Sequence, residues 1–320
     1  MSGIPTIDLS DALNGTAAER LRKGQEIDAI CQRVGFFAVT GHGVDPALMH
    51  ALRQRSYDFF NLPLSQKMAL APKNNEPRGY RGLGFEALSA GNDQKTPPDI
   101  KEYFHFGRES WPDEPYFTAG EGPDYFIPNV WPEQIDGWQS LAEKYYQAME
   151  QLTRQLMQLS ALGLGIPEMF FEDKIDRHIT AMRINHYPAQ SDAPQPGQLR
   201  AGAHTDYGLL TILNGENKPG GLEVLTKQGQ WVSVQTEPAS FVVNIGDLLM
   251  RWTNDRWISN THRVVNPPGQ DSTQARLSIA FFHHPNYDAV IECINHDQPP
   301  KYPPVRSGDY RTQKYQQTRV

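Results

Sequence analysis

The apolar period of this chain changes near Ile179, and that change restricts the fold more than any other feature. Before it, apolar residues recur at every third or fourth position; after it, they alternate. The clearest helical stripe is Trp138, Leu141, Tyr145, Met149, Leu152, Leu156 and Leu159, a core-facing surface that Gly163 and Gly165 are expected to end. Beyond Ile179, runs at 181–187, 209–213, 222–225, 231–234, 241–245 and 276–282 read as strands, with Gly, Pro and Asn in the gaps. Short strands at this spacing predict a double-sheet jelly roll. The fold class expected is mainly β with flanking helices (α+β) around a jelly-roll, or double-stranded β-helix, core.

The first third mixes both periods. A short strand is expected within 4–9, a helix over 17–34 with Ile27, Ile30 and Val34 on one face, and a strand over 35–41. Asp45-Pro46 starts a second helix, an N-cap followed by Pro at the first helical position, with Leu48, Leu52 and Phe59 inward. Residues 72–130 read as long loops carrying short strands such as 102–106, and so long an irregular stretch is usually functional. The polar last twenty residues suggest a terminal helix or a frayed tail.

Composition excludes several classes. A net charge of −7 argues against a nucleic-acid partner. There is no apolar run of the roughly 18 residues a membrane span needs, and the start, MSGIPTIDLS, lacks a basic segment followed by an apolar one. Two cysteines, Cys31 and Cys293, cannot form a disulfide framework. A cytoplasmic protein acting on a small molecule is the expectation, with its oligomeric state left open.

The chemistry concentrates in one constellation. In an extended strand, residues i and i+2 face the same side, so His204-Thr205-Asp206 brings an imidazole and a carboxylate together. That pair supplies two of the three groups of a 2-His-1-carboxylate facial triad. With ten histidines present, one such triplet can arise by chance, and a second His must come from far along the chain. His262, in NTHRV, is the better candidate; His283-His284 is the competitor, although a solvated strand end before Pro285 suits that pair better. Arg276-Leu-Ser278 places a guanidinium and a hydroxyl on one strand face, a carboxylate clamp. The same letters at Arg108-Glu-Ser110 lack that setting, whereas Arg276 opens an apolar run, LSIAFF, and needs an anion: a ligand or a protein carboxylate.

HTDYGLLTIL, NTHRVV and RLSIAFF, in that order, resemble the Fe(II)/2-oxoglutarate-dependent oxygenases of the isopenicillin-N-synthase-like group. IPTIDLS, GFFAVTGHGV, Asn185-His-Tyr-Pro188, GGLEVL and VNIGDLL extend the similarity over most of the chain. The resemblance implies that His204, Asp206 and His262 bind Fe(II). It implies that Arg276 and Ser278 hold the distal carboxylate of 2-oxoglutarate, assisted by Asn185 and Tyr187. His186, the middle residue of that motif, should point away, and Gly246-Asp247 is read as a turn with a structural aspartate. Phe282, Arg183, Tyr207, Glu86 and His105 are the substrate-side candidates, with Arg81 and Tyr103 beside them; Arg183 could meet an anionic or carbonyl-bearing substrate or a protein carboxylate. The implied division is 1–115 as the N-terminal α/β region packing on the core, 116–175 as scaffold helix and connector, 176–290 as the jelly-roll core, and 291–320 as the tail.

The activity so implied is oxidation of a small organic molecule by O2 and 2-oxoglutarate through a ferryl species, giving succinate and CO2. C–H hydroxylation is the default ending, desaturation and cyclisation being the variants, in secondary metabolism, with ascorbate as a candidate stimulant. Retention of Asp206 separates the chain from halogenating relatives. The rival readings are a family oxidase that does not consume 2-oxoglutarate, an ethylene-forming type, and a non-catalytic 2-oxoglutarate or metal sensor.

Overall fold

The computed structural model describes residues 3–73, 76–92, 97–190, 193–235, 237, 239–268, 273–294 and 298–318. Strands β1 (Thr6–Asp8), β2 (Phe36–Thr40), β3 (Gly79–Arg81), β4 (Glu102–Gly107), β5 (Ala181–Tyr187) and β6 (Ala201–His204) come first in the chain. They are followed by β7 (Leu210–Gly215), β8 (Leu222–Leu225), β9 (Trp231–Ser233), β10 (Phe241–Ile245), β11 (His262–Val264) and β12 (Arg276–His283). The large sheet has eight strands in the order β1-β2-β10-β7-β12-β5-β4-β3, and the small one four, β6-β11-β8-β9. This is the expected jelly-roll pair. The N-terminal region joins it by hydrogen bonding as well as by packing, since β1 and β2 extend one edge of the large sheet and β3 and β4 the other.

Alternation sorts the side chains of the large sheet. On β12, Leu277, Ile279 and Phe281 enter the main core, whereas Arg276, Ser278, Ala280 and Phe282 line a pocket between the sheets. On β5, Met182 and Ile184 enter the core, and Arg183, Asn185 and Tyr187 face the pocket. Phe36, Leu222, Val224, Val234 and Val242 close the gap between the sheets elsewhere.

The core face of the large sheet is covered by the helix Trp138–Leu164, whose Trp138, Tyr145, Met149, Leu152, Leu156 and Leu159 are buried; Leu141 sits at the margin. Each such side chain contributes about 1.5–3 kcal/mol by leaving water. Gly165 ends the helix in the left-handed region, at φ 75°. Gly163 does not end it: it lies inside the helix, where a Cβ would stand 2.2 Å from the Gly24 carbonyl oxygen. Gly24 is equally confined, its Cβ position being 2.6 Å from the Leu159 carbonyl oxygen. The two glycines therefore let two helix backbones touch.

The partner helix, Ala17–Cys31, opens with a capping box between Thr16 and Glu19. It stops short of Val34, because Gly35, at φ 68°, redirects the chain into β2 and leaves Val34 packed beside the core. Asp45 caps the helix Pro46–Phe60 as expected, its side chain accepting from the Ala47 N–H at 2.8 Å. The C-terminal residues form a helix, Ser307–Thr318, and not a frayed tail.

Inside a helix, Gly→Ala normally stabilises by about 0.5–1 kcal/mol. Gly163→Ala is expected to reverse that sign, destabilising by about 1–3 kcal/mol through overpacking against Gly24. Urea denaturation midpoints at unchanged m-value are the measurement, and a stabilised variant contradicts the close approach.

Candidate active site

His204 ends β6 and His262 begins β11, and the antiparallel register sets the two residues directly opposite each other. Their rings lie 4.3 Å apart between centroids. Asp206 reaches the same point from a different backbone. The strand stops at His204, so Asp206 stands in the following loop and not on a strand face as the i, i+2 argument supposed. Its Oδ1 is 3.8 Å from His204 Nε2 and its Oδ2 3.7 Å from His262 Nε2. One donor atom from each of the three residues lies within 4.8 Å of the others, a spacing that one metal ion can bridge.

The surroundings prepare these atoms. His204 Nδ1 contacts the Gly202 carbonyl at 2.7 Å and His262 Nδ1 the Asn260 carbonyl at 3.1 Å. A carbonyl only accepts, so each Nδ1 carries the proton and each Nε2 is turned to the centre. Burial, then the neighbouring His262, hold His204 below its ordinary value, which favours the neutral imidazole. Burial alone would raise the Asp206 carboxyl, yet His262, His204 and a hydrogen bond from Asn244 hold it below the usual carboxylate range. Asn244 donates its Nδ2–H to Asp206 Oδ2 at 2.8 Å. Two imidazoles and one carboxylate, each with a coordinating atom facing the centre, fit Fe(II) by donor type.

The loop that carries Asp206 is pinned by a helix and not by the anticipated turn. Asp247 starts the helix Asp247–Trp252, and its N–H donates to the Asp206 carbonyl at 2.7 Å. The Asp247 side chain accepts from Ser259 at 2.7 Å and Tyr310 at 3.0 Å, and pairs with Lys314 at 3.2 Å, so its role is structural, as expected.

Across the pocket, β12 and β5 pair Arg276 with Tyr187 and Ser278 with Asn185. Asn185 Nδ2 and Tyr187 Oη lie 3.4 Å and 3.5 Å from Ser278 Oγ. Arg276 is 2% exposed; its Nε donates to the Glu216 carbonyl at 3.3 Å, while its Nη1 has no partner. No carboxylate pairs with it among the described residues, which removes the protein-carboxylate alternative. A buried guanidinium that has no ion-pair partner among the described residues, and that feels the Glu216 carboxylate only through space, is a site for an anion when it lies beside a hydroxyl. His186 points the other way, against Glu102 at 2.7 Å and the Phe60 ring.

Phe282, Arg183, Tyr207 and Glu86 line this same pocket, of about 100 Å³. Arg183 resolves toward its protein partner, Glu86, at 3.0 Å. His105, Arg81 and Tyr103 line an adjoining smaller cavity instead, because β3 and β4 lie beyond β5 at the sheet edge. His283 and His284 correct the solvated strand end: β12 runs on to His283, both are 2% exposed, and His283 is engaged by Thr180 at 3.0 Å. His284 lines the pocket but lies outside the three-residue cluster.

Sequence reasoning passed over Asn244, Lys101 and Tyr315, all on the pocket wall. Asn244 was detectable as the polar residue of an otherwise apolar strand, FVVNI. Lys101 sits at the end of an irregular stretch and Tyr315 in a polar terminal helix, where nothing in the sequence points inward.

The chain matches two family models: a non-haem dioxygenase N-terminal region, described for morphine synthesis, over residues 4–134, and the 2OG-Fe(II) oxygenase superfamily over residues 179–285. It is 35% identical over 324 residues to the 2-oxoglutarate-Fe(II) type oxidoreductase hxnY of Emericella nidulans, covering 98% of this chain and 90% of that protein. It is 33% identical to the homoarginine-6-hydroxylase 2-ODD-233 of Oryza sativa, covering 97% and 96%. The crystal structure of a full-length Neurospora crassa protein in complex with alpha-KG and thymine superposes with a TM-score of 0.84 at 32% identity, covering 97% of this chain and 96% of that one. With these relatives over nearly its whole length, and a His-Asp-His cluster facing an unpaired buried arginine, the chain belongs to the 2OG-Fe(II) oxygenase superfamily.

Proposed function

We propose that His204, Asp206 and His262 hold the Fe(II) of this oxygenase, that Arg276 and Ser278, with Asn185 and Tyr187, hold the 2-oxoglutarate, and that the reaction is C–H hydroxylation of a small polar molecule. The observation that carries this reading is the unpartnered Arg276 Nη1 in the same pocket as the His-Asp-His cluster. When bound, the metal and the 2-oxo acid supply O2 activation coupled to decarboxylation, with succinate and CO2 as products.

The protein's own part is placement and shielding. Carbonyl contacts at both Nδ1 atoms fix the histidine rings, and Asn244 fixes one carboxylate oxygen of Asp206. Arg276 and Ser278 provide the cation and the donor that offset the lost hydration of a carboxylate. Phe282, two positions beyond Ala280 on the same strand face, bounds the space left for the primary substrate. Glu86, Arg183 and Tyr207 complete that boundary. The relatives support a small polar substrate: one is named for hydroxylation of homoarginine, and one structure holds thymine.

A cytoplasmic location follows the same reading. No helix among the described residues is long and apolar enough to cross a membrane, and Cys31 and Cys293 are both free and buried. A place in secondary metabolism rests on the description of the N-terminal family model.

Two measurements test the residue roles. Arg276→Gln is expected to weaken 2-oxoglutarate binding by about ten- to a hundredfold, the worth of one or two charge-assisted hydrogen bonds. Anaerobic calorimetry reads this directly, and an unchanged Kd removes Arg276 from the role. Asn244→Ala is expected to lower Fe(II) affinity by about ten- to a hundredfold, as loss of a group orienting a metal-bound carboxylate does. Metal titration with the fold checked by circular dichroism is the readout, and Arg276→Gln should leave that affinity at the wild-type value.

A further inference from the structure

The smaller cavity beside the main pocket is built for an anion. It shares Glu86, Arg183 and Tyr315 with the main pocket and has about 20 Å³ of room for water-sized atoms. That is space for one or two such atoms, at roughly 10–15 Å³ each. Among the described residues lining it are three arginines, Arg78, Arg81 and Arg183, against one carboxylate, Glu86.

That carboxylate is already engaged. Glu86 Oε1 accepts from the Tyr103 hydroxyl at 2.9 Å, and Oε2 meets Arg183 at 3.0 Å and Lys101 at 3.2 Å. Burial alone would raise Glu86, but Arg183 and Lys101 pull it down to about 2, so it is ionised and neutralised. Arg81 is half-buried and donates to the Glu76 carbonyl at 2.8 Å.

Arg78 has no such relief. It is 6% exposed, its Nε reaches only the Ile127 carbonyl at 3.4 Å, its Nη1 has no partner, and no carboxylate pairs with it among the described residues. Burial, then Arg311, push it down to about 10, which leaves it charged at neutral pH. His105, 3% exposed, has an unpartnered Nε2, and Arg183 an unpartnered Nε. Burial, then Arg78, hold His105 well below its ordinary value, so it enters as a neutral imidazole. Three nitrogen atoms without partners thus belong to the wall of one small cavity, around an excess of buried positive charge.

Resting on the reading of the site given above, we infer that this cavity receives the carboxylate of the primary substrate, held by Arg78 and His105 with Arg183. The rest of the molecule then extends past Glu86 and Phe282 toward His204 and His262. Two carboxylate oxygens match the available volume, whereas a tetrahedral phosphate overfills it.

Matched acid and amide probes test this on the Fe(II)- and 2-oxoglutarate-loaded protein: nicotinate with nicotinamide, benzoate with benzamide, and cyclohexanecarboxylate with its amide. Anaerobic calorimetry should show each acid that binds doing so at least about tenfold more tightly than its amide, with the preference gone in Arg78→Gln. Equal affinities, or a preference that survives Arg78→Gln, overturn the inference. Formate soaked into wild-type crystals and located in difference density gives a second reading that needs neither a variant nor turnover. A peak between Arg78 and Arg183 supports the anion site, and it decides the matter where no probe binds. Peaks elsewhere with none in this cavity overturn it. Failure of the wild-type protein to bind 2-oxoglutarate would instead sink the parent reading, and it registers before any probe is added.

Discussion

Strand β12 is buried on both faces, and most of what the pocket can do follows from that. Its odd-numbered side chains, Leu277, Ile279 and Phe281, are committed to the core beneath the long helix. Its even-numbered ones, Arg276, Ser278, Ala280 and Phe282, are thereby committed to the pocket. A slip of one residue would drive Arg276 into the aromatic core and Leu277 into the polar cavity, at a cost no local contact offsets. Core packing and site geometry are one constraint expressed on opposite faces. The pairing with β5 transmits it, since the register that sets Ser278 beside Asn185 also seats Met182 and Ile184 in the core.

The side that carries the His-Asp-His cluster is organised differently. The small sheet has short strands, and its one firm contribution is the register that opposes His204 and His262. Asp206 comes from a loop, where the backbone sets no alternation. Its position depends on hydrogen bonds: the Asp247 N–H to its carbonyl and the Asn244 amide to its carboxylate. Through Tyr310 and Lys314, Asp247 also ties this loop to the C-terminal helix, which brings Tyr315 to the pocket wall. Remote parts of the chain therefore hold a carboxylate that a strand would have positioned unaided.

What the sequence made legible was whatever a repeating period encodes. The long helix, the strands of the large sheet other than β3 and the inward set on β12 and β5 were legible, whereas β3 lies in a stretch that reads as loop. The His-Asp-His cluster and the Arg-x-Ser pair were legible through their order along the chain. Features set by a single contact between distant segments were not. Gly163 looked like a helix terminator because glycine usually is one there, and only the approach of Gly24 shows its use. His284 looked solvated because it follows a strand and precedes a proline. The salt bridge between Arg183 and Glu86 joined two residues that had each been read as facing a substrate.

The two ends of the hollow impose different demands. The end that holds the His-Asp-His cluster is built from the jelly roll, where strand pairing fixes His204, His262, Arg276 and Ser278 to a register and only Asp206 depends on loop hydrogen bonds. The far end is built from β3, β4 and the irregular segments around them, together with the C-terminal helix, and there Glu86 is neutralised by Arg183 and Lys101 while Arg78 keeps its charge without a carboxylate partner among the described residues. Arg183 joins the two, because on β5 it is one alternation step from Asn185 while its guanidinium belongs to the Glu86 network. Substitutions at Arg78 or His105 therefore alter the small cavity without disturbing the register that holds Arg276 and Ser278. A substitution at Arg183 cannot be so confined, since it leaves Glu86 with Lys101 and Tyr103 alone and removes a side chain from the wall of both cavities.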